Sequence, residues 1–261
     1  MLTNARQKMI ESIALRDGEV IISKVAKELG VSIETIRRDI NVMCEQNLLV
    51  KVHGGAVPAQ IPISEASYSQ RKKSNSAVKS RIGKAAAELI KSNEVVAFST
   101  GSTIEAVAVQ IKGVHNLSVL TNSLPIGQIL SDMHERGDYD GKTILFGGEL
   151  HPTEHLTFGT AVTEQIHKYY ADIVFIGAAA VCEQGLMSTG TEEGNITSEL
   201  MNAAAKVVLV IESKKLDKRS VYCFASLEQV DAIITDDENP ISEDLLQAFR
   251  ENNIEVQIVS K

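Results

Sequence analysis

The sequence predicts an α/β protein in which an N-terminal winged helix-turn-helix is followed by a doubly wound, mostly parallel sheet. Near the start of the 261-residue chain, two helical patterns meet at a glycine, and a Gly-Gly pair follows between two short apolar runs. From residue 77 onward, helical patterns alternate with continuous apolar runs. Such runs are typical of parallel strands that are covered by helices on both faces.

The two helices of the N-terminal part are defined by their boundary residues. The shorter one is predicted from Ser23 to Leu29 and ends at Gly30, which suits a left-handed backbone position. The second is predicted over residues 32–46, with Ser32 as a favourable N-cap. Apolar residues recur at helical spacing and predict its buried face: Ile33, Ile36, Ile40 and Met43.

Polar side chains on the other side of this second helix predict a surface that reads DNA. In a helix-turn-helix, the second helix enters the major groove. Arginine makes bidentate contacts with guanine edges and phosphates, so Arg37 and Arg38 are the first candidates. We expect Ser32 and Thr35 to contact phosphate or a thymine methyl group.

A hairpin wing is predicted directly after the second helix. Residues 48–57 contain two short apolar runs on either side of a Gly-Gly turn. Lys51 and His53 lie on this wing, and we expect them to touch the flanking DNA backbone. Residues 19–22 are predicted to add a short strand to it.

These residues resemble the DeoR family of bacterial transcription regulators. The resemblance rests on Thr35-Ile36-Arg37-Arg38-Asp39-Ile40 and, after a fixed interval, on His53-Gly54-Gly55-Ala56. We expect residues 1–57 to form the DNA-binding domain, residues 58–76 a linker with one short helix near residues 64–71, and residues 77–261 a sugar-phosphate-sensing and oligomerisation domain.

The second part of the chain alternates between predicted strands and helices. The strands are predicted at 95–98, 117–120, 143–146, 173–176, 207–211, 232–234 and 254–258. The helices are predicted at 77–90, 102–111, 124–133, 160–167, 197–205 and 242–250.

Ligands of such sheets bind beyond the carboxyl ends of the strands, where the strand order reverses. The loop after the first of these strands carries Gly101 and hydroxyl side chains at the start of a helix, which suits a phosphate dianion. The candidate effector-binding residues at strand ends are Ser99, Thr100, Gly101, Ser102, Thr103, Thr121, Asn122, Gly147 and Gly148. Residues 212–215 bring lysines to the same rim.

The resemblance to the DeoR family continues from about Lys79 to Asp236, and it implies a domain similar in fold to ribose-5-phosphate isomerase. Residues 99–103 lie where the family has an Asp-x-Gly-Thr-Thr loop. The resemblance adds two candidate effector-binding residues, since Lys215 takes the place of the family's lysine and Glu192 lies near its glutamate.

Two positions depart from the family pattern in this region. Ser99 and Glu212 stand where the family has aspartates. The neutral Ser99 removes a carboxylate that could have bonded sugar hydroxyls or repelled phosphate, so the identity of the effector stays open.

Composition and charge narrow the function classes. The net charge is −8, with +1 on residues 1–57 and −9 on the remainder, so DNA affinity is expected from a few placed contacts rather than from bulk charge. Cys44, Cys182 and Cys223 have no metal-binding spacing, which favours reduced thiols in a cytoplasm. The first residues contain no long apolar run, which argues against a signal peptide or membrane span.

The main alternative is a sugar-phosphate isomerase-like enzyme fused to a DNA-binding module. The isomerase family's Asp-Gly-Ala-Asp-Glu segment is missing, because residues 177–181 are Gly-Ala-Ala-Ala-Val. His151 and His155 are four residues apart, but Pro152 disfavours the helix that a metal site would need there. A protein-interaction module with a winged helix is a third possibility, and it predicts no affinity for small phosphates.

Together, the residues and the resemblance predict a cytoplasmic transcription regulator, a repressor of a carbohydrate-utilisation operon, with no catalytic residue, metal or cofactor and no membrane association. Its expected partners are double-stranded operator DNA, a phosphorylated sugar effector, and further copies of the chain in a homo-oligomer, either a dimer or a tetramer. The effector either releases or strengthens DNA binding.

Overall fold

A computed structural model of the chain describes residues 6–10, 13–14, 20–45, 48–52, 54–58 and 68–260. The chain divides into two compact units, Met1–Ser64 and Glu65–Lys261. Among the residues described, none of the helices combines the length and the apolar character that crossing a bilayer requires.

The first unit is a winged helix-turn-helix, as the sequence predicted. Residues 6–10 and 13–14 are helical. The elements that follow are β1 (Val20–Ile21), α1 (Ile22–Leu29), α2 (Ile33–Glu45), β2 (Leu49–Val52) and β3 (Gly55–Pro58). The three strands form an antiparallel sheet in the order β1-β3-β2, so the predicted strand before α1 does pair with the wing.

The turn between α1 and α2 is set by two residues. Gly30 has a left-handed backbone with φ of 65°, and the N–H of Val31 donates to the carbonyl of Ala26 at 3.0 Å. The hydroxyl of Ser32 accepts from the N–H of Thr35 at 3.1 Å and thereby caps α2. Both boundary predictions are confirmed.

The buried face of α2 differs from its prediction at one end. Ile36, Ile40 and Met43 are buried in the core of the unit, but Ile33 is 48% exposed. Ile33 lies on the same side of the helix as the buried residues, but it is the first residue of α2. Its position at the end of the helix leaves it exposed. The buried face also includes Asp39, whose carboxylate receives two hydrogen bonds from the Arg6 guanidinium, one of them 3.1 Å long.

The second unit contains a central sheet and the helices that cover it. Its helices are α3 (Tyr68–Lys73), α4 (Ser76–Ala87), α5 (Ser102–Val109), α6 (Leu124–Glu135), α7 (Thr160–Ile166), α8 (Thr191–Asn202) and α9 (Glu243–Glu251). Its strands are β4 (Val95–Phe98), β5 (Ser118–Thr121), β6 (Lys142–Leu145), β7 (Glu149–His151), β8 (Leu156–Phe158), β9 (Ile173–Ile176), β10 (Ala180–Cys182), β11 (Gly185–Ser188), β12 (Val207–Val210), β13 (Tyr222–Ala225), β14 (Ala232–Asp236) and β15 (Glu255–Val259).

The central sheet has seven parallel strands in the order β15-β14-β12-β9-β4-β5-β6. Side chains from both of its faces are buried. Within β4, Val96 and Phe98 belong to one apolar cluster and Ala97 to another, because successive residues of a strand point to opposite faces. The predicted doubly wound parallel sheet is thus confirmed, and its strand order reverses between β4 and β9.

Some elements were not predicted from the sequence. β10, β11 and β13 form a separate antiparallel sheet, and β7 pairs with β8. Helix α8 begins at Thr191, six residues before the predicted start. Gly194 weakens the helical pattern there, but packing requires a glycine, since a Cβ atom would lie 2.8 Å from Cδ1 of Tyr222.

Helix α3 lies within residues 58–76, where we expected a linker with one short helix near residues 64–71, and it extends two residues beyond that range. It belongs to the second unit and packs against it. The buried ring of Tyr68 lies 4.9 Å from the ring of His155. Nζ of Lys72 lies 2.9 Å from Oε2 of Glu105, a buried side chain in α5.

Candidate ligand-binding cleft and nucleic-acid interface

A cleft opens in the second unit at the carboxyl ends of β4, β9 and β12. It encloses about 530 Å³ of empty volume, including the part that is open to solvent. These three strands are neighbours in the sheet, and the strand order reverses between β4 and β9. The cleft therefore lies where ligands of doubly wound sheets bind.

One wall of the cleft is the loop from β4 into α5. Gly101 has φ of 122°, a value that residues with a side chain rarely adopt. It is the N-cap residue of α5, and it has no side chain that could cap the helix. Ser102 and Thr103 begin the helix and line the cleft. The first amides of a helix lack partners within the helix, and the helix dipole makes this end positive.

Ser99 and Thr100 connect this loop to the rest of the cleft. Ser99 is buried, and its hydroxyl accepts from the N–H of Gly177 at 3.3 Å. The hydroxyl of Thr100 donates to Oε1 of Glu193 at 3.0 Å. Ser99 therefore joins the ends of β4 and β9, whereas Thr100 is directly on the cleft wall.

Two cationic side chains line the same cleft. Lys215 ends the 3₁₀ helix Ser213–Lys215 after β12, and its ammonium group donates to the carbonyl of Ala178 at 3.1 Å. Arg71 reaches the cleft from α3 and forms an ion pair with Glu154. The sequence predicted Lys215, but it did not predict Arg71, which lies in the segment expected to be a linker.

The glutamate that lines the cleft is Glu193, not the predicted Glu192. Both are in the first turn of α8, but Glu192 is exposed. Glu193 lines the cleft and accepts the hydrogen bond from Thr100. Because the two glutamates are adjacent, the sequence could show which of them lines the cleft only if the start of α8 were predicted correctly.

Thr121 and Asn122, two of the other predicted residues, are engaged within the protein. The Thr121 hydroxyl accepts from the N–H of Ser123 at 3.0 Å. The Asn122 side-chain amide donates to the carbonyl of Thr157 at 2.8 Å. Both are fully or almost fully buried at the end of β5, outside the lining of the cleft.

The predicted glycines after β6 also lie outside the lining of the cleft. The side chain of Gln165 bonds both the N–H and the carbonyl of Gly147. At Gly148, a Cβ atom would lie 2.5 Å from the carbonyl oxygen of Phe158, so this glycine allows close packing. The expectation that residues 121, 122, 147 and 148 contact the effector gains no support from the cleft's geometry.

Two buried carboxylates hold the segment that carries Lys215. Asp236 accepts from the N–H and the hydroxyl of Ser213 at 2.7 and 2.6 Å. Glu212 accepts from the side chains of Asn75 and Lys214 at 2.7 and 2.9 Å, and Nζ of the buried Lys79 lies 3.6 Å from it.

Hydrogen bonding outweighs desolvation at both carboxylates. Burial alone would raise the pKa of Asp236, but the bonds from Ser213 and Glu238 hold this pKa below its ordinary value. Burial would likewise raise the pKa of Glu212, but the bonds from Lys214 and Asn75 and the charge of Lys79 lower it. Both groups are therefore held as carboxylates.

The lowered pKa of Asp236 predicts a pH dependence of stability. A carboxylate whose pKa is lower in the folded chain stabilises it fully above the unfolded pKa, here about 4, and this contribution is lost as the pH falls through the folded value. We expect the melting temperature of Asp236→Asn to fall less steeply below about pH 4 than that of the wild-type chain. Asp244→Asn, at an exposed carboxylate in α9, should keep the wild-type slope, and equal slopes for all three would contradict the prediction.

In the first unit, α2 presents polar side chains to solvent. Arg37 and Arg38 are exposed, and Nη1 of Arg37 lies 3.6 Å from Oε2 of Glu34. The hydroxyl groups of Ser32 and Thr35 are 2.8 Å apart at the start of the helix. Lys51 is exposed on β2, and the predicted His53 lies outside the described residues.

A winged helix-turn-helix followed by a sheet domain with a polar cleft at its switch point defines a class of protein, a DNA-binding transcription regulator with a ligand-sensing domain. The chain belongs to the DeoR family of these regulators. Residues 6–61 match the DeoR-like helix-turn-helix domain, and residues 74–237 match the DeoR C terminal sensor domain. The chain is thus a regulator of transcription and not an enzyme.

Similar proteins of known role are transcription repressors. The HTH-type transcriptional repressor GlcR of Bacillus subtilis is 30% identical over 217 residues, which cover 83% of this chain and 82% of the relative. The glycerol-3-phosphate regulon repressor of Escherichia coli is 28% identical over 261 residues, which cover 99% of this chain and all of the relative.

Solved structures show a weaker likeness. Ribose 5-phosphate isomerase A of Methanocaldococcus jannaschii has a TM-score of 0.39 at 18% identity, covering 56% of each chain. The sorbitol operon regulator SorC of Klebsiella pneumoniae has a TM-score of 0.36 at 10% identity, covering 82% of this chain and 89% of that chain. Both scores are below 0.5, and the fold is defined by its strand order instead.

Proposed function

We propose that the chain represses a carbohydrate-utilisation operon and that a phosphorylated sugar controls its affinity for operator DNA. The composition of the cleft supports a phosphorylated sugar as the effector. It places a helix N-terminus, hydroxyl groups, two cations and one carboxylate around a single opening.

The phosphate group is proposed to bind at the start of α5. Free amides and the positive end of the helix dipole favour an anion there. Gly101 permits close approach of the backbone, since nothing lies within 4 Å of the place where its Cβ atom would be. Lys215 and Arg71 line the same cleft and add the positive charge that a dianion requires.

The sugar hydroxyl groups are proposed to face Glu193 and Thr100. A carboxylate accepts hydrogen bonds from hydroxyl groups, and the threonine hydroxyl both donates and accepts. Their mutual bond of 3.0 Å holds the two groups in fixed positions. A ligand with a phosphate at one end and hydroxyl groups at the other matches this distribution of charge.

The names of relatives support the carbohydrate role. One is the glycerol-3-phosphate regulon repressor of Escherichia coli, and another is the lactose phosphotransferase system repressor of Lactococcus lactis, which is 30% identical over 247 residues. Both names refer to a carbohydrate or to a phosphorylated polyol. Neither name identifies the ligand of this chain.

On the DNA side, α2 is proposed to enter the major groove of the operator. Arg37 and Arg38 would contact bases or phosphates, with Ser32 and Thr35 at the groove edge. Lys51 and His53 would contact the flanking backbone from the wing. Recognition of a repeated operator requires at least two heads, so we propose a homo-oligomer that acts in the cytoplasm.

A thermal-shift panel tests the proposal. Binding to the native state alone raises the melting temperature, by an amount equivalent to about 2.7 kcal/mol at a hundredfold excess over Kd. We expect a clear shift with at least one phosphorylated sugar and none with its unphosphorylated parent. If every sugar phosphate left the melting temperature unchanged, the second unit would not be a sugar-phosphate sensor.

A further inference from the structure

The face of α2 that we propose to face DNA includes one acidic side chain, that of Glu34. Glu34 precedes Arg37 and Arg38 by three and four residues, and Asn41 follows at seven, so the four side chains share one face of the helix. The Glu34 side chain is 75% exposed and that of Arg37 is 60% exposed. Neither serves the core of the unit.

This face also borders the groove between α2 and the wing. Glu34, Arg37 and Asn41 line it together with Lys51 of β2. The groove has about 620 Å³ of empty volume, including the part that is open to solvent. Glu34 is therefore among the side chains that approach DNA when α2 lies in the major groove.

In a complex with DNA, a carboxylate in this position is unfavourable unless a hydrogen-bond donor of the DNA compensates for it. Phosphates on both sides of the groove repel it, and the ion pair with Arg37, at 3.6 Å and largely exposed, stabilises the fold little. In the major groove, the group that suits a carboxylate is the N4 amino group of cytosine. The first turn of a recognition helix is also the part that contacts base edges.

We propose that Glu34 determines operator specificity by accepting a hydrogen bond from the N4 amino group of one cytosine in each half-site. Glu34 also interacts favourably with the dipole of α2, but that role has no dependence on DNA sequence. The inference rests on the DNA-binding function and on the proposed position of α2 in the groove, and it is independent of the effector.

Selection of binding sites from a library of duplexes with a randomised segment tests this. The full-length wild-type chain is compared with Glu34→Gln, Glu34→Ala and the control Glu28→Gln, which changes an exposed carboxylate in α1. The wild type and the control should select a cytosine at one position of each half-site. Both Glu34 variants should lose that preference, and Glu34→Gln should accept adenine there, because glutamine binds adenine bidentately.

The size of the cytosine preference is measured by titrating the chain with two duplexes. One carries the wild-type motif, and the other carries the same motif with that C·G pair replaced by T·A. The wild type should bind the altered duplex about 5- to 150-fold more weakly, and the Glu34 variants should bind the two duplexes alike. The proposal is overturned if the Glu34 variants, with wild-type melting temperatures, select the wild-type motif. A wild type that selects no motif would overturn it together with the DNA-reading role of α2, whereas failure of the sugar-phosphate panel leaves it intact.

Discussion

Replacement of Arg37 by alanine should produce the largest loss of operator affinity. A bidentate arginine contact with guanine contributes about 1–3 kcal/mol. A dimer on two half-sites would lose it twice, about 2–6 kcal/mol, which is roughly 30-fold to 10⁴-fold in Kd. The Arg37 side chain is exposed and lies outside the core of the first unit, so the fold should remain intact.

The measurement for Arg37 is a titration of operator DNA with the full-length variant. Arg250→Ala is the matched control, since it removes an exposed arginine from α9 in the second unit. The control should bind the operator as the wild type does, and the effector-induced shift in melting temperature should be the same in both variants. If Arg37→Ala bound the operator normally, α2 would not be the helix that reads DNA.

Replacement of Lys215 by alanine should produce the largest loss of effector affinity. Lys215 lines the same cleft as the start of α5, where the phosphate is proposed to bind. A hydrogen bond to a charged group contributes about 1.5–3 kcal/mol, so Kd for the sugar phosphate should rise roughly 10- to 150-fold. Operator affinity without effector should not change, because Lys215 belongs to the second unit.

Lys168→Ala provides the control for Lys215. Lys168 is exposed just after α7 and is not part of the cleft lining. The dependence of melting temperature on sugar-phosphate concentration should match the wild type in the control and move to higher concentrations in Lys215→Ala. Coincident curves for both variants would remove Lys215 from the phosphate site.

The sequence predicted best what depends on neighbouring residues. Gly30 and Ser32 fix their turn through backbone conformation and a hydrogen bond three residues away, and both were predicted correctly. Several of the seven central strands were recognisable because they are continuous apolar runs, such as Val95–Phe98 and Ile173–Ile176, whereas the edge strand β15 alternates polar and apolar residues. By contrast, β11 and β13 are short strands whose pairing joins residues more than 30 positions apart, and local patterns do not specify such partners.

The sequence predicted only part of the candidate site, because the site also depends on which strands are neighbours in the sheet. The loop after β4 could be found from its glycine and hydroxyl residues, but strand order is a property of the whole sheet. The cleft is lined from the ends of β4, β9 and β12, and Thr121 and Asn122, at the end of β5 on the other side of β4, lie outside its lining. Arg71 was missed because it lies in a polar stretch that we interpreted as a linker, and the local pattern does not show that the helix around Tyr68 packs against the second unit.

Control of DNA binding by the effector is tested by the operator affinity of the full-length chain with and without a saturating sugar phosphate from the thermal-shift panel. Coupling between the two sites of about 1–3 kcal/mol would change Kd for the operator about 5- to 150-fold, and the operator would change the effector's Kd by the same factor. We expect such a change, in either direction, for the phosphorylated sugar and none for its parent. An operator Kd that stays the same at saturating effector would contradict this expectation, because the cleft and the DNA-binding unit would then be uncoupled.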